Sequence, residues 1–354
     1  MKLFIPGPIW VHPDVLKAMA AQPVGHRSKD YSALHARIIG KLKRILGTEQ
    51  NVFLGTCSGS GIWELAARNC VRERALVCMC GAFSDKWADV VRSNGKDVVE
   101  LKVEWGQPIT PELVDKALAA NKVDAVMVVR NETSTGVTNP LKEIAEVVRR
   151  RPDTLLVVDD VSGMAGLPLE VDAWGLDMVL ASSQKAFGIP PGLAVFTASQ
   201  RAVERAKTIK NRGYYFDLME YVKQGEKDQT PSTPAEPQIY ALDVVTDRIL
   251  AEGMPARLAR HHRMAEMTRA WARERFAVFA AKGYESDTLT CITNTKNVDI
   301  SAVNKKLRAA HDCVISDGYG KLKGATFRIA HMGDMQEQDI RELLGWIDEA
   351  MAAC

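Results

Sequence analysis

Three short segments of the chain combine residue types that could do chemistry. The first is Ser58-Gly59-Ser60-Gly61, which follows the apolar run 51–54 and precedes a helical pattern. Small residues let the backbone approach an anion, and a helix start offers unpaired N–H groups and a partial positive charge. The segment predicts a phosphate site, although a tight turn with a helix cap has the same pattern.

The other two segments place ionisable side chains just beyond apolar runs. Asp159 follows the run 155–158, and Lys185 comes shortly after the run 178–181. Open α/β sheets bind their ligands beyond the carboxyl ends of the strands, and a lysine in a closed site can form a Schiff base. Each residue alone could also be a solvated charge or a helix cap, and Asp160 is a neighbouring alternative to Asp159.

Together the three segments supply the parts that a pyridoxal phosphate enzyme needs. A phosphate site anchors the cofactor, a carboxylate keeps the pyridine nitrogen protonated, and a lysine binds the cofactor covalently. No segment is specific alone, but the combination predicts such an enzyme.

Short apolar runs alternate with helical patterns over the first two thirds of the chain. The runs are rich in Val, Leu and Ile, which is typical of strands buried on both faces of a mainly parallel sheet. Helical stretches such as 62–71 and 141–150 lie between the runs, so an α/β fold with helices on both sheet faces is expected. The predicted strands cover residues 51–54, 75–80, 98–103, 125–129, 155–158, 178–181 and 193–196.

The pattern changes after residue 224. Residues 225–238 contain several prolines, including Pro237, and are predicted to form a loop. A long helix is expected over 256–276, and a final helix is expected with Asp334 as its cap. The last hundred residues therefore predict a smaller α+β domain.

Composition narrows the class of protein. The 354 residues are 46% hydrophobic and 25% charged, which suits an ordinary globular chain of about two domains. The 46 basic and 44 acidic residues give a net charge of +2 without blocks of like charge, so no nucleic-acid or membrane partner is expected.

The location and the metal content are also expectations from composition. The chain shows neither a signal-peptide pattern nor a long apolar span, and its seven cysteines lack framework spacing. We therefore expect a cytoplasmic protein. Cys78 and Cys80 lie in the apolar run 75–80, which favours burial over metal binding, and no metal is expected.

The motifs resemble those of the class V aminotransferases, which are fold-type I pyridoxal phosphate enzymes. The resemblance is strongest to the alanine–glyoxylate and serine–pyruvate aminotransferases, with some features of phosphoserine aminotransferase. It implies a large domain over 16–250 with a mainly parallel seven-stranded sheet, and a small α+β domain formed by 1–15 and 251–354. The matching segments are Phe4-Ile5-Pro6-Gly7-Pro8, Gly25-His26-Arg27-Ser28, 56–61, Asn131-Glu132-Thr133-Ser134-Thr135-Gly136, Val158-Asp159, Ser183-Gln184-Lys185 and Arg328.

The resemblance implies a role for each matching residue around the cofactor. Lys185 would bind pyridoxal 5′-phosphate covalently and move the proton, and Asp159 would pair with the pyridine nitrogen. Phe83 and Val161 would contact the two faces of the ring, and Thr133 would lie near its phenolic oxygen. The residues implied at the phosphate are Ser58, Gly59, Ser60 and Gln184.

The resemblance also implies the substrate contacts and a partner subunit. Arg328 would grip the substrate carboxylate as a bidentate fork, with Gly7 offering backbone to the same group. Residues 229–234 would cross to the phosphate of a neighbouring subunit through Thr230 or Thr233, so a homodimer with shared active sites is expected. A surface turn is the alternative for this segment.

His26 and Arg27 leave the substrate open. Phosphoserine aminotransferases use a His-Arg pair at this place on the substrate phosphate, but they have a second such pair where this chain reads Gly320-Lys321-Leu322-Lys323-Gly324. We therefore expect transfer from alanine or serine to glyoxylate or pyruvate, with phosphoserine:2-oxoglutarate transfer as the alternative. A lyase or a cysteine desulfurase is a less favoured alternative, and the desulfurase is opposed because Cys313 begins an apolar run instead of lying in a loop.

Overall fold

Residues 1–352, which a computed structural model describes, form three β-sheets, two of them packed against helices and the third a two-stranded pair of Asn131–Glu132 and Val137–Thr138. The strands of these residues are β1 (Lys2–Phe4), β2 (Asn51–Gly55), β3 (Arg74–Met79), β4 (Asp97–Lys102), β5 (Ala125–Val129), β6 (Asn131–Glu132), β7 (Val137–Thr138), β8 (Leu155–Asp159), β9 (Met178–Ser182), β10 (Ala194–Ala198), β11 (Ala277–Val278), β12 (Leu289–Thr293), β13 (Cys313–Asp317) and β14 (Thr326–Ala330). The helices are α1 (Pro13–Ala18), α2 (Lys29–Leu46), α3 (Gly59–Cys70), α4 (Ala82–Ser93), α5 (Pro111–Ala120), α6 (Leu141–Arg149), α7 (Val171–Trp174), α8 (Gln200–Lys207), α9 (Leu218–Gly225), α10 (Glu236–Glu252), α11 (Met254–Arg275), α12 (Ile300–His311) and α13 (Glu337–Ala352).

The larger sheet has seven strands in the order β2-β10-β9-β8-β5-β3-β4. Six of these strands run in the same direction, and β10 runs in the opposite direction. Its side chains alternate between two hydrophobic clusters, so Leu76 and Cys78 face one layer of helices and Val77 faces the other. Helices α2, α5, α6 and α10 cover one face, and α3, α4, α8 and α9 cover the other. The predicted α/β fold with a mainly parallel seven-stranded sheet is confirmed.

The smaller sheet has the order β1-β13-β14-β12-β11 and packs against α11, α12 and α13. Strand β1, from the start of the chain, pairs in parallel with β13, so Phe4 lies beside Ile315. The pairing joins the start of the chain to the smaller sheet, and the grouping of residues 1–15 with 251–354 stays a prediction. Residues 353–354 of that group lie outside the described residues.

The predicted loop over 225–238 is wrong at its carboxyl end. Helix α9 ends at Gly225, but α10 begins at Glu236 and contains Pro237 in its first turn. Proline is tolerated there because its missing N–H would have no partner within the helix. The loop itself is therefore 226–235.

The last helix forms as expected, but its predicted cap is wrong. Helix α13 begins at Glu337, and the Asp334 carboxylate instead accepts a hydrogen bond from Arg248 Nε at 3.1 Å. The ion pair keeps Asp334 away from the helix end. The predicted apolar face is buried, through Ile340, Leu343, Leu344 and Ile347. Within the described residues, no helix is both long and apolar enough to cross a membrane.

Candidate active site

A cavity of about 130 Å³ lies where β5, β8 and β9 end and α3 begins. Every residue predicted to bind the cofactor lines it except Thr230 and Thr233. The lining residues are Ser58, Gly59, Ser60, Trp63, Phe83, Val129, Asn131, Thr133, Asp159, Val161, Ser182, Gln184 and Lys185. The carboxyl edge of a parallel sheet is the ordinary ligand site of α/β folds.

The start of α3 provides an anion site at one end of this cavity. Ser58 is the N-cap residue, but its side chain makes no capping hydrogen bond to the first turn. Gly59 donates its N–H to Ser182 Oγ at 2.6 Å, and a Cβ on Gly59 would lie only 2.7 Å from Val161 Cγ2. Glycine is therefore required for this close approach, and the uncapped helix start can accept a phosphate.

Asp159 lies at the other end of the cavity as the last residue of β8. Its Oδ1 accepts the N–H of Val161 and its Oδ2 accepts the indole N–H of Trp63, both at 2.7 Å. Burial raises the pKa of Asp159 to about 7, and these two hydrogen bonds oppose that rise. A cationic group beside this carboxylate would therefore be strongly favoured.

The side chain of Asp160 pairs with Arg130 and does not line the cavity. Its Oδ2 lies 3.0 Å from Arg130 Nη1, and both side chains are buried. Burial raises the pKa of Asp160 to about 6, and Arg130 opposes the rise. The structure thus places Asp159, and not Asp160, against the cavity.

Lys185 lies between the larger and the smaller sheet, shortly after β9. Its Nζ donates to the carbonyl of Pro6 at 2.6 Å. Gly7 has a φ of +143°, and a Cβ there would lie 2.6 Å from the Lys185 Nζ, so the N-terminal segment can pass this closely only as glycine. Burial, aided by the positive charge of Arg328, lowers the pKa of Lys185 to about 8, while Asp159 opposes the change. A neutral amine is therefore accessible near neutral pH.

Arg328 in β14 lies beside the cavity, in contact with the lining residue Thr133, and belongs to the smaller sheet. It donates from Nη1 to the carbonyl of Thr133 at 3.3 Å and from Nη2 to Ser316 Oγ at 2.9 Å. Its remaining hydrogen bonds in the described part of the chain go to the carbonyl of Asp317. All of these acceptors are neutral, so the buried guanidinium retains its charge for an anionic ligand.

Phe83 is held by the start of α4. The Glu132 carboxylate accepts the backbone N–H groups of Phe83 at 3.3 Å and Ser84 at 3.0 Å. The Phe83 ring stacks on Tyr319, with 5.1 Å between the ring centroids. Glu132 and Tyr319 thereby fix the ring that was predicted to contact the cofactor.

Thr133 is fixed by a network that the sequence did not reveal. Its hydroxyl donates to Ser162 Oγ at 2.8 Å, and Ser162 donates to the carbonyl of Asn131 at 2.8 Å. Asn131 and Ser182 also line the cavity. Both lie at or just beyond strand ends, which is the signal that could have identified them.

Six predicted site residues do not line the cavity, namely Gly7, His26, Arg27, Thr230, Thr233 and Arg328. Arg27 is exposed and donates to the carbonyls of Thr230 at 2.7 Å and Pro231 at 3.2 Å, so it holds the loop 226–235. Thr230 is buried, whereas Thr233 is exposed. His26 does not line the cavity either.

The side chains and backbone groups that line the cavity suit the chemical groups of pyridoxal 5′-phosphate. The Gln184 Oε1 is buried and has no hydrogen-bond partner among the described residues, which marks it for a ligand group. The helix start suits the phosphate, Asp159 suits a pyridinium, and Lys185 suits an aldehyde. Phe83 and Val161 supply flat and apolar contacts for a ring.

Comparison with known proteins agrees with this chemistry. Residues 18–342 match the family described as aminotransferase class-V. An uncharacterised aminotransferase of Methanocaldococcus jannaschii is 39% identical, over 99% of this chain and 92% of its own. A serine–glyoxylate aminotransferase of Methylorubrum extorquens is 34% identical, over 95% and 87% of the two chains.

A solved structure of another aminotransferase has a similar fold. The crystal structure of an alanine–glyoxylate aminotransferase from Nostoc sp. superposes with a TM-score of 0.92 at 29% identity, covering 98% of this chain and 94% of that one. The match in sequence and in fold extends over the cavity and over the larger and the smaller sheet. The chain therefore belongs to the class V aminotransferases and is a pyridoxal phosphate-dependent transaminase.

Proposed function

We propose that this transaminase moves the amino group of a small amino acid, alanine or serine, to glyoxylate or pyruvate. The observation that carries the proposal is the buried Arg328, whose hydrogen bonds go only to neutral oxygens of the described residues beside the cavity. A guanidinium in this state suits the carboxylate that all of these substrates share. Relatives named for serine–glyoxylate and alanine–glyoxylate transfer support the substrate class.

The residues that line the cavity support the proposed cofactor contacts. Ser58, Gly59 and Ser60 bind the phosphate at the start of α3, and Gln184 reaches the same group. Phe83 and Val161 hold the two ring faces, Thr133 lies near the phenolic oxygen, and Asp159 pairs with the ring nitrogen. When bound, pyridoxal phosphate supplies an electron-withdrawing ring that makes the substrate Cα–H acidic.

The chain's own contribution to the chemistry is a proton transfer. Lys185 would hold the cofactor covalently, and its amine, once free, would take the proton from the substrate Cα. Its lowered pKa, about 8, leaves a useful fraction of the amine neutral. Arg328 and the backbone of Gly7 orient the substrate carboxylate during this step.

Arg27 supports the small-substrate assignment. Its guanidinium donates to the Gln229 side chain at 3.1 Å and to the carbonyls of Thr230 and Pro231, so a structural task already occupies it. A phosphoserine donor would need a second cation at the site. Lys321 and Lys323 offer point charges, and not the paired fork of a second arginine.

A donor panel tests the proposal. Alanine, serine, aspartate and phosphoserine are mixed in turn with the loaded enzyme, and the change in cofactor absorbance is followed through one half-reaction. Alanine or serine should react fastest. A preference of about two orders of magnitude for phosphoserine would correspond to about 2.7 kcal/mol and would overturn the assignment.

We also propose a homodimer in which the loop 226–235 completes the partner's site. Thr230 is buried and donates its hydroxyl to the Ser232 carbonyl at 2.8 Å, whereas Thr233 is exposed and is the more accessible hydroxyl. Mixing Lys185→Ala subunits with Thr233→Val subunits should restore activity in mixed dimers. A monomer in sedimentation, or no recovery with either Thr233→Val or Thr230→Val subunits, would contradict shared sites.

A cytoplasmic location is the remaining part of this proposal. The described cysteines, Cys57, Cys70, Cys78, Cys80, Cys291 and Cys313, are all free thiols, which supports a reducing compartment. Cell fractionation with thiol alkylation tests it. Recovery of the protein outside the cytoplasm would contradict the proposal.

A further inference from the structure

Helix α3 makes a second contact with the candidate site, one turn beyond the predicted phosphate contacts. The indole N–H of Trp63 donates to Asp159 Oδ2 at 2.7 Å, and both side chains are buried. The other carboxylate oxygen accepts only a backbone N–H, that of Val161, at 2.7 Å. Trp63 is therefore the one side chain in the described residues that donates a hydrogen bond to Asp159.

The surroundings of Asp159 otherwise work against its charge. Burial is the largest influence and raises its pKa to about 7, and the nearby carboxylates Glu132 and Asp160 raise it further. Lys185 is a cation of the same cavity, and the charge of Asp159 raises the pKa of this lysine. A hydrogen bond to the ionised form opposes these effects and favours the carboxylate.

The position of the Trp63 indole beside Asp159 is fixed by its neighbours. Trp63 is fixed by stacking on Trp87, with 5.9 Å between the ring centroids and 20° between the planes. Because Trp63 and the phosphate residues Ser58 to Ser60 share one helix, a single rigid element sets both the phosphate end and the nitrogen end of the cavity. The carboxylate is held by two donors in one orientation.

We propose that Trp63 is a positioning residue, whose indole N–H orients the Asp159 carboxylate and keeps it ionised for the pyridine nitrogen of the cofactor. This inference rests on the proposed role of Asp159. It assigns to Trp63 an electrostatic task in addition to packing.

A matched pair of variants separates the two tasks. Trp63→Phe keeps an aromatic ring and removes the donor, while Trp87→Phe removes an indole N–H that is buried without a partner among the described residues. Both variants are loaded with pyridoxal phosphate labelled with ¹⁵N in the ring. The ring-nitrogen resonance reports protonation without any turnover, and the dissociation constant of the cofactor is measured in parallel.

The expected results differ between the two variants. In Trp63→Phe the ring-nitrogen resonance should move toward the unprotonated position, because the proton shifts to a less acidic Asp159. The dissociation constant should rise roughly tenfold, as for one lost hydrogen bond to a charged group. Trp87→Phe should change neither quantity, because a phenylalanine ring keeps an aromatic face against Trp63. Equal effects of both variants, or no effect of Trp63→Phe, would overturn the proposal.

A measurement on the unaltered Trp63 covers the case in which Trp63→Phe does not fold. The ¹⁵N–¹H resonance of the Trp63 indole should move in Asp159→Asn and stay in place in Asp160→Asn. An equal response to both changes would overturn the hydrogen-bond role. If Asp159→Asn leaves the ring nitrogen protonated, the role of Asp159 fails instead, and the indole response still reports the contact independently.

Discussion

Asp159 and Asp160 are neighbours in the chain, yet their carboxylates have opposite surroundings. Asp159 accepts hydrogen bonds from Trp63 and Val161 at the cavity wall, whereas Asp160 lies 3.0 Å from Arg130 in the protein interior. One carboxylate is available to a ligand, and the other is committed to an ion pair. The same chemical change at the two positions should therefore have different consequences.

Asp159→Asn should keep the fold but lower turnover by about 10²-fold or more, because a neutral amide no longer stabilises a protonated ring nitrogen. Asp160→Asn should instead lower the free energy of unfolding by about 3–5 kcal/mol, since it leaves the buried Arg130 without its partner. Steady-state kinetics and urea denaturation distinguish the two effects. Near wild-type turnover in Asp159→Asn would show that the wrong carboxylate was chosen.

Lys185 should be the residue that carries the cofactor. Borohydride reduction of the loaded enzyme should attach the cofactor to Lys185, and peptide mass spectrometry locates the label. A label on another lysine, or no bound cofactor, would refute the assignment of the site.

The lowered pKa of Lys185 also predicts a pH dependence. With a pKa of about 8, about half of the amine is neutral at pH 8, against roughly 0.3% for an ordinary lysine. Covalent capture of pyridoxal phosphate needs the neutral amine, so its rate should rise through about pH 8 and then level off. Stopped-flow absorbance measures this rate. In Arg328→Ala the midpoint should move to higher pH, because a neighbouring positive charge is lost, and an unchanged midpoint would contradict the coupling.

Arg328→Ala should weaken every amino donor alike. The loss in kcat/KM should correspond to about 2–5 kcal/mol, because the substrate carboxylate is left buried without its cation. Arg328→Lys should recover part of this loss, since it restores the charge without the bidentate fork. A loss confined to one donor would mean that Arg328 reads the substrate side chain instead.

Arg27→Ala should affect alanine and phosphoserine about equally. Its guanidinium holds the backbone at Thr230 and Pro231, so the change should disturb the loop 226–235 and not a substrate phosphate. The control is Arg37→Ala, which removes an exposed arginine whose partner, Asp243, lies in α10 and outside the loop. Kinetics with both donors provide the test, and a selective loss of phosphoserine would favour that substrate.

The sequence was sufficient to predict the strands of the larger sheet and the residues at their ends. Continuous apolar runs identify buried parallel strands, and residues such as Asp159 and Lys185 stand out because they follow those runs. Local sequence patterns gave wrong predictions where the position of a residue in the fold determines the local structure. Pro237 fits the first turn of α10, and Asp334 pairs with Arg248 instead of capping α13.

The supporting residues of the site could not be read from local patterns. Trp63 lies in an apolar helical stretch and looks like ordinary core until the fold brings its indole to Asp159, 96 residues away. Glu132 similarly looks like one more strand-end acid, but its carboxylate organises the start of α4 around Phe83. Such contacts depend on the packing of α3 and α4 against the sheet.

Three contacts limit how much the length of the N-terminal segment can vary. Phe4 is fixed in β1 opposite Ile315, the Pro6 carbonyl meets the Lys185 amine, and the Ile9 N–H donates to the Gln184 carbonyl at 3.2 Å. Chain ends ordinarily accept insertions and deletions. Here one added or deleted residue between Phe4 and Ile9 would shift the carbonyl away from the reactive amine, so a random-insertion library should find this stretch as intolerant as the segment around Lys185 itself.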